Sequence, residues 1–137
     1  MKLSEIYSKS KAWMFEKKSS TIYGDYIVEI ANKVITELFE ENNNLRMFKG
    51  KVPFIDGCLK HLVSSLDSEI DFEEEYLLDV IPKGITANFL MDDDLSKMSI
   101  YQTEYNNARV MRQVLVSSSK VKELTEKAHA IETNTEI

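Results

Sequence analysis

Two runs of acidic residues, Glu73 to Glu75 and Asp92 to Asp94, are the groups in this chain that could most readily hold a metal ion or act as catalytic acids. Carboxylates bind Mg²⁺ and Ca²⁺, but no flanking glycine and glutamate complete a calcium loop at either run. Adjacent residues of a helix point in different directions, so neither run forms a catalytic carboxylate pair. We therefore predict no metal and no cofactor, and we assign both runs to helix N-termini.

A thiol and an imidazole stand three residues apart, at Cys58 and His61. A nucleophile beside a base is how a thiolate is activated, but no recognised motif surrounds this pair and the spacing is common by chance. The pattern favours a small buried cysteine beside a partly exposed histidine. Because an enzymatic function would rest on this pair alone, we predict that the protein is not an enzyme; the accessibility of the thiol to reagents tests this.

The charge balance argues against an ordinary DNA-binding protein. The chain has 23 acidic and 17 basic residues and a net charge of -6, whereas binding to phosphates needs clustered Lys and Arg. Four aromatic residues could form a stacking surface for bases, but in an acidic protein such residues are more typical of a core. They are Trp13, Phe15, Tyr23 and Tyr26.

The charges are also unevenly distributed. Residues 67–79 contain seven acidic residues and no basic one, while Arg109, Arg112, Lys120 and Lys122 lie in a stretch without acids. This pattern predicts an acidic pole and a basic pole, which either meet between copies of the chain or pair within one chain.

Two helices are expected in the first fifty residues. Ser4 can cap the first, and Asp25 can cap the second, in which apolar residues recur at steps of three and four. The apolar residues of the first are Ile6, Tyr7, Trp13 and Phe15, and those of the second are Ile27, Ile30, Ala31, Val34, Ile35 and Leu38. Three asparagines at 42–44 favour the end of this helix, although residues 45–48 could extend its last turn.

A long loop and a helical hairpin should follow. Pro53 and Gly57 interrupt short apolar groups over residues 50–69, which predicts an ordered loop with one helical turn or a short strand, placed at a contact surface. A third helix should begin near Asp71, and Pro82 should either kink it or divide it into two helices in succession, of which we favour the kink. Asp92 to Asp94 cap a fourth helix, whose apolar residues are Met98, Tyr101, Tyr105, Ala108 and Leu115.

The C-terminal residues predict an arm. Ser117 to Ser119 weaken the fourth helix, and the few apolar residues after them cannot form a core, so this segment either stays mobile or packs on a neighbour. We therefore divide the chain into a helical domain, 1–116, and a C-terminal arm, 117–137. The residues predicted to contact a partner are Val114, Leu115, Val121, Leu124 and Ala128.

These elements predict a mainly all-α fold, a bundle of about four helices with a long loop and a protruding C-terminal arm. With 4 Gly and 2 Pro, the chain has too few breakers for a sandwich of many short strands. It also has no run of about 18 apolar residues and no secretory signal, so we expect a soluble, intracellular protein that does not enter a membrane.

The segment from Phe72 to Arg109 reads FEEEYLLDVIPKGITANFLMDDDLSKMSIYQTEYNNAR. It resembles the helical hairpin of bacteriophage head-to-tail connector proteins, also called adaptor, head-completion or neck proteins. The matching positions are Ile81, Pro82, Gly84, Ile85, Ala87, Leu90, Asp92 to Asp94, Lys97, Tyr101, Tyr105 and Ala108. The preceding ELFEENNNLRMFKGKVP is similar to neck proteins from phages of Gram-positive hosts, and the combined likeness covers residues 24–112. Lys83 departs from it, because the family often has an aromatic residue there.

The resemblance implies a structural virion protein without catalytic residues, assembled in the host cytoplasm and located in the neck of the particle. Such a protein forms a ring of about twelve copies that joins the portal to the tail or to a second neck protein. DNA passes through its centre, and the C-terminal arm grips the portal. The motif positions singled out by the resemblance are Pro82, Gly84, Asp93, Asp94 and Tyr105.

Two further expectations concern assembly. An acidic channel wall repels DNA phosphates, so part of the 67–79 cluster is expected to face the lumen of such a ring. The alternative function is a small helical adaptor or regulatory module that binds one protein partner through an amphipathic groove.

Overall fold

A computed structural model describes residues 1–15, 23–91 and 94–135, with side chains as far as residue 117. Within these ranges the chain forms four α-helices and no β-strand, which confirms the predicted all-α bundle. The helices are α1 (Leu3–Trp13), α2 (Ile27–Phe48), α3 (Ile81–Leu90) and α4 (Leu95–Thr135).

Helix α3 is the centre of the bundle and packs against each of the other three helices. Eight of its ten residues are buried, which is typical of a helix in such a central position. The residues that α3 contributes to the core include Ile81, Ile85, Phe89 and Leu90. The predicted stripe of α2 faces them, with Ile27, Ala31, Val34, Ile35 and Leu38 buried.

Helix α1 begins with Lys2 at its N-cap position, so the predicted cap at Ser4 is wrong. A serine cap is unnecessary because the end of the loop between α2 and α3 accepts bonds from the free amides of the first turn. Leu3 N–H donates to the Ser68 carbonyl at 3.0 Å and Ser4 N–H to the Leu66 carbonyl at 2.9 Å. The Glu5 carboxylate accepts the Lys2 N–H at 3.1 Å.

The asparagine run does not end α2, which continues to Phe48. Asparagine disfavours helix interiors because its side chain competes for local backbone groups, but here two of these amides bond to the following loop. Asn43 donates to the Phe54 carbonyl at 3.2 Å and accepts the Phe54 N–H at 2.8 Å. Asn42 accepts the buried Glu73 N–H at 2.7 Å.

The expected break at Pro82 takes the form of a π-helical turn, Tyr76–Val80, that leads directly into α3. The helical run begins at Glu74, slightly later than predicted. Proline cannot donate to the carbonyl four residues earlier. In this turn the Ile81 N–H donates to the Tyr76 carbonyl. The Leu78 carbonyl, to which Pro82 cannot donate, accepts a bond from Lys9 Nζ at 3.4 Å.

Helix α4 passes through Ser117 to Ser119 without interruption, so the predicted weakening there is wrong. Asp94 Oδ1 accepts the Lys97 N–H at 3.1 Å, which confirms the predicted cap. Tyr105 and Ala108 face the core as expected, but Val116 is buried in place of the predicted Leu115. The inward row therefore continues from Arg112 to Val116, four residues on, and not to Leu115.

Candidate functional site

Three of the predicted motif positions meet in the α3–α4 hairpin. Pro82, Gly84 and Tyr105 are all buried. A Cβ atom placed on Gly84 would lie 2.7 Å from Tyr105 Cε2, so only glycine lets the aromatic ring approach this closely. The Tyr105 hydroxyl donates to Glu37 Oε2 at 2.9 Å, and burial together with this carboxylate raises the pKa of the phenol.

The remaining motif positions lie at the start of α4. Asp94 caps this helix, as described above, while Asp93 and its neighbour Asp92 lie outside the described residues. The motif positions that the structure describes therefore fix the hairpin: Gly84 and Tyr105 set how closely α3 and α4 approach, and Asp94 sets where α4 begins.

A polar contact joins α4 to α2. Arg109 Nη2 donates to the Glu41 carboxylate at 2.8 Å, and the Gln113 amide donates to the same carboxylate at 2.6 Å. A cavity of about 260 Å³ opens beside it, lined in part by Tyr76, Arg112 and Val116. This contact fixes the rotation of α4 about its own axis.

The opposite side of α4 is apolar and exposed. Four neighbouring residues on this side, which we call the outer face, are each more than half exposed: Val110, Met111, Val114 and Leu115. Val114 and Leu115 were predicted partner-binding residues, and they are free to meet a partner. The other three, Val121, Leu124 and Ala128, lie on α4, but their side chains are outside the described residues.

A second apolar surface lies on the loop between α2 and α3. Val52 is 72% exposed, Ile55 89% and Leu59 85%, and we call these three residues the loop face. Sequence reasoning expected a contact surface in this loop but named none of them. The sequence feature that could have identified them is the presence of large aliphatic residues in a segment interrupted by proline and glycine.

The loop that carries these residues is firmly anchored. Besides the Asn43 bonds to Phe54, Asn32 donates to the Val63 carbonyl at 2.9 Å and accepts the Val63 N–H at 2.8 Å. The ring of His61 stacks on Phe54 at 4.0 Å between centroids. The loop face is therefore held in place before any partner arrives, which lowers the ordering cost of binding.

The loop and α4 lie on opposite sides of α2. Asn32 and Asn43, which hold the loop, are separated by about three helical turns and share one side of α2. Glu37 and Glu41, which contact α4, lie roughly 160° further round at 100° per residue. The loop face and α4 therefore flank the bundle on two sides.

Most carboxylates of the predicted acidic pole pair within the chain, as in the second of the two arrangements expected from the sequence. Buried Glu73 accepts hydrogen bonds from Arg46 at 3.2 Å and from Lys51 at 2.9 Å. Burial acts to raise the pKa of Glu73, but the bonds from Lys51 and Lys49 outweigh it and the pKa lies below 4.5. The other paired residues of the cluster are Glu69, Asp71, Glu75 and Asp79.

Two residues of the predicted basic pole, Arg109 and Arg112, also pair internally. Arg109 binds Glu41, and Arg112 binds Asp79 at 3.2 Å. Because charges that neutralise each other within one chain are not available to a neighbour, these groups do not support a contact between an acidic face and a basic face. They also weaken the expectation that the 67–79 cluster lines a channel.

The imidazole of His61 is held by two carboxylates. Its Nε2 lies 2.7 Å from Asp56 Oδ1 and its Nδ1 lies 2.8 Å from Asp71 Oδ2. Burial acts to lower the pKa of His61, but the bonds to Asp56 and Asp71 outweigh it and raise the pKa above 6.5. Since both ring nitrogens are occupied, neither serves as a base for Cys58, whose sulfur lies 3.9 Å from Thr36 Oγ1.

The four aromatic residues considered for base stacking divide into two pairs. Trp13 stacks on Tyr101 with 6.3 Å between centroids, and Tyr23 stacks on Phe89 at 4.4 Å. For these two the predicted packing against the bundle holds. Phe15 and Tyr26 are exposed, so their assignment to the core is wrong.

Comparison with known proteins identifies no relative. The chain matches no protein-family model, no curated protein and no solved structure. Among residues 1–15, 23–91 and 94–135, no helix has the length and apolarity needed to cross a membrane. The same residues contain no group of three or more His, Cys, Asp or Glu side chains arranged to hold a metal ion.

Proposed function

We propose that this chain is a structural protein that works by assembling with copies of itself and with partners, specifically a head-to-tail connector of a long-tailed bacteriophage. In this role a ring of about twelve copies joins the portal to the tail in the neck of the virion, and DNA passes through its centre. The observation that carries the proposal is the outer face of α4. It exposes apolar residues on a helix that continues well past Val116, the last buried residue among the described side chains.

The geometry of the hairpin supports the proposal. The positions that carry the resemblance to connectors include Gly84 and Tyr105, which pack directly against each other. A motif that fixes this contact also fixes the direction in which α4 leaves the bundle. A connector whose C-terminal helix grips a portal depends on that direction.

The two apolar surfaces support an assembly role as well. A subunit of a ring or stack needs different surfaces for its different neighbours, and the loop face and α4 lie on opposite sides of α2. In the proposed arrangement the outer face and the arm meet the portal, while the loop face, Val52, Ile55 and Leu59, meets the tail or a second neck protein.

Docking on portal rings tests the proposal. We expect the full chain to form an added density on portal rings from the same phage, visible by negative-stain electron microscopy. Removing residues 117–137 should abolish this density, while circular dichroism shows that the bundle remains folded because every described core residue lies before residue 117. Undiminished docking of the shortened chain contradicts the assignment of the arm.

The loop face favours one second candidate function, that of a small adaptor that binds a single protein partner. An anchored loop with three exposed aliphatic residues is typical of a preformed docking surface. Quantitative mass spectrometry of purified virions separates the two functions. A connector is present in every virion at a fixed ratio to the portal protein, whereas an adaptor is absent from virions.

A further inference from the structure

Helix α4 carries a continuous row of exposed positions. The row advances by alternating steps of three and four residues, and every side chain on it that the structure describes is exposed. Its members are Ile100, Thr103, Asn107, Val110, Val114 and Ser117. The row that faces the bundle is different and contains Met98, Tyr101, Tyr105, Ala108 and Arg112, all buried or half-buried.

The sequence after residue 117 continues the exposed row rather than the inward one. The same steps lead from Ser117 to four apolar residues: Val121, Leu124, Ala128 and Ile131. The inward row, continued from Val116, leads mainly to polar residues: Ser119, Glu123, Glu126 and Ala130. The apolar positions of the C-terminal half of α4 are therefore in register with the side that turns away from the bundle.

We propose that this row pairs with the same row of a second copy, forming a parallel, two-stranded coiled coil over residues 100–131. Alternating steps of three and four are the a and d positions of a coiled coil, with Val114 and Val121 at a and Leu124 at d. Branched residues at a with Leu at d favour two parallel strands. Asn107 at a further a position is the kind of polar residue that fixes the register of a pair.

The flanking charges specify the orientation. Lys120 and Lys127 occupy g positions and Glu132 an e position. In a parallel pair Lys127 of one copy lies beside Glu132 of the other, which is an attractive contact. In an antiparallel pair the g positions of the two copies face each other, so the two lysines repel.

Pairing also explains why a long helix persists beyond the bundle. Isolated helices of fewer than about 12–15 residues are marginal in water, and a longer one without an apolar partner gains little stability. Val116 is the last buried residue among those whose side chains the structure describes. Since Ser117 and Ala128 contribute little apolar surface, we expect a dimer that dissociates on dilution.

This inference does not rest on the connector proposal. The pair forms between free copies, without a portal, and its signature is a dimer rather than a ring. The pair and the portal contact use the same residues of α4, so the pair has to separate before the arm docks. A failure of portal docking leaves the pairing intact, and a failure of pairing leaves the docking test unaffected.

Sedimentation equilibrium over a concentration series tests the pairing in the full chain. The wild type should convert from monomer to dimer, and Val114→Glu should remain monomeric at the highest concentration. The matched control is Leu115→Glu, since Leu115 has nearly the same exposure but lies beside the row; it should dimerise like the wild type. A wild type that stays monomeric, or equal loss of the dimer in both variants, overturns the proposal.

Disulfide trapping tests the orientation. In a Cys58→Ser background, Ser117→Cys should give a covalent dimer under mild oxidation, because d positions face each other in a parallel pair. Thr133→Cys, at an outward f position, is the control and should not crosslink. Dimers that form without crosslinking through Ser117→Cys overturn the parallel arrangement.

Discussion

The α3–α4 hairpin and the loop after α2 are both held firmly against the bundle, but by different kinds of contact. In the hairpin, Gly84 allows the ring of Tyr105 to approach, and the fit depends on shape. In the loop, Asn32 and Asn43 bond to backbone groups of Val63 and Phe54, and the fit depends on individual hydrogen bonds. Shape complementarity in a core is lost only with the fold, whereas a few half-buried hydrogen bonds can open locally.

The two kinds of contact suit the different roles of the hairpin and the loop. The hairpin sets the direction of α4 and must not move, so it uses buried apolar contacts. The loop presents Val52, Ile55 and Leu59 to the outside, and polar anchors hold it there without covering those residues. Substitutions in the two regions should therefore differ in both size and reach.

The largest effect is expected at Tyr105. Replacing Tyr105 with Ala removes a buried ring and leaves a cavity in the hairpin, which should lower the free energy of unfolding by about 3–5 kcal/mol. Urea denaturation measures it. The control Tyr105→Phe keeps the ring and loses only the bond to Glu37, so it should lower the free energy of unfolding by about 1 kcal/mol. If both variants lost the same stability, the shape of the ring would not be what holds the hairpin.

A smaller loss should follow from Gly84→Ala. Alanine favours helices, but its Cβ would press on Tyr105, so we expect a net destabilisation of about 1–3 kcal/mol. In a Tyr105→Ala background the same change should be neutral or stabilising by up to about 1 kcal/mol. A double-mutant cycle by urea denaturation measures the coupling energy between the two positions. A coupling energy of zero would contradict the close approach of Gly84 and Tyr105.

Asn43→Ala should have a local effect in the loop. The Phe54 N–H and carbonyl lose their partner, which should cost about 1 kcal/mol. Hydrogen exchange should show faster exchange of the Phe54 amide while the amides of α3 stay protected. Asn44→Ala, at an exposed neighbouring position, is the control. Loss of protection throughout the bundle would mean that the loop and the hairpin do not differ as argued.

The smallest effect should be a pH dependence of the loop through His61. Its pKa is raised in the folded chain, so its pairing with Asp56 and Asp71 stabilises fully below the unfolded value of 6.5 and is lost as the pH rises through the higher folded value. Both carboxylates are exposed, which limits the contribution. Exchange of the loop amides should accelerate as the pH rises above about 6.5, after correction for intrinsic rates, and His61→Gln should flatten this profile.

The sequence sufficed where a contact depends on a repeating pattern. The stripe of α2, the cap at Asp94 and the inward residues Tyr105 and Ala108 follow from helical spacing and end signals. Each is a property of a short segment, which can be recognised without knowing what lies opposite. For the same reason the sequence could indicate that Val114 and Leu115 contact a partner, but not which partner they contact.

Prediction from the sequence failed where the role of a residue depends on a partner that is distant in the chain. The asparagines at 42–44 indicated a helix end, because nothing local reveals that Asn42 bonds to Glu73 and Asn43 to Phe54. Steps of three and four allow either Leu115 or Val116 to face inward, and only the packing beside Glu41 and Tyr76 decides for Val116. The charge runs likewise gave no sign that Glu73 pairs with Arg46.

Because α4 is a single helix from Leu95 to Thr135, its far end behaves as a lever arm. The helix extends roughly 28 Å beyond Val116 at 1.5 Å per residue. A tilt of a few degrees at the contact between Gly84 and Tyr105 would therefore move the C-terminal end of α4 by more than an ångström. A buried side chain in the hairpin thus determines where the end of α4 meets a partner.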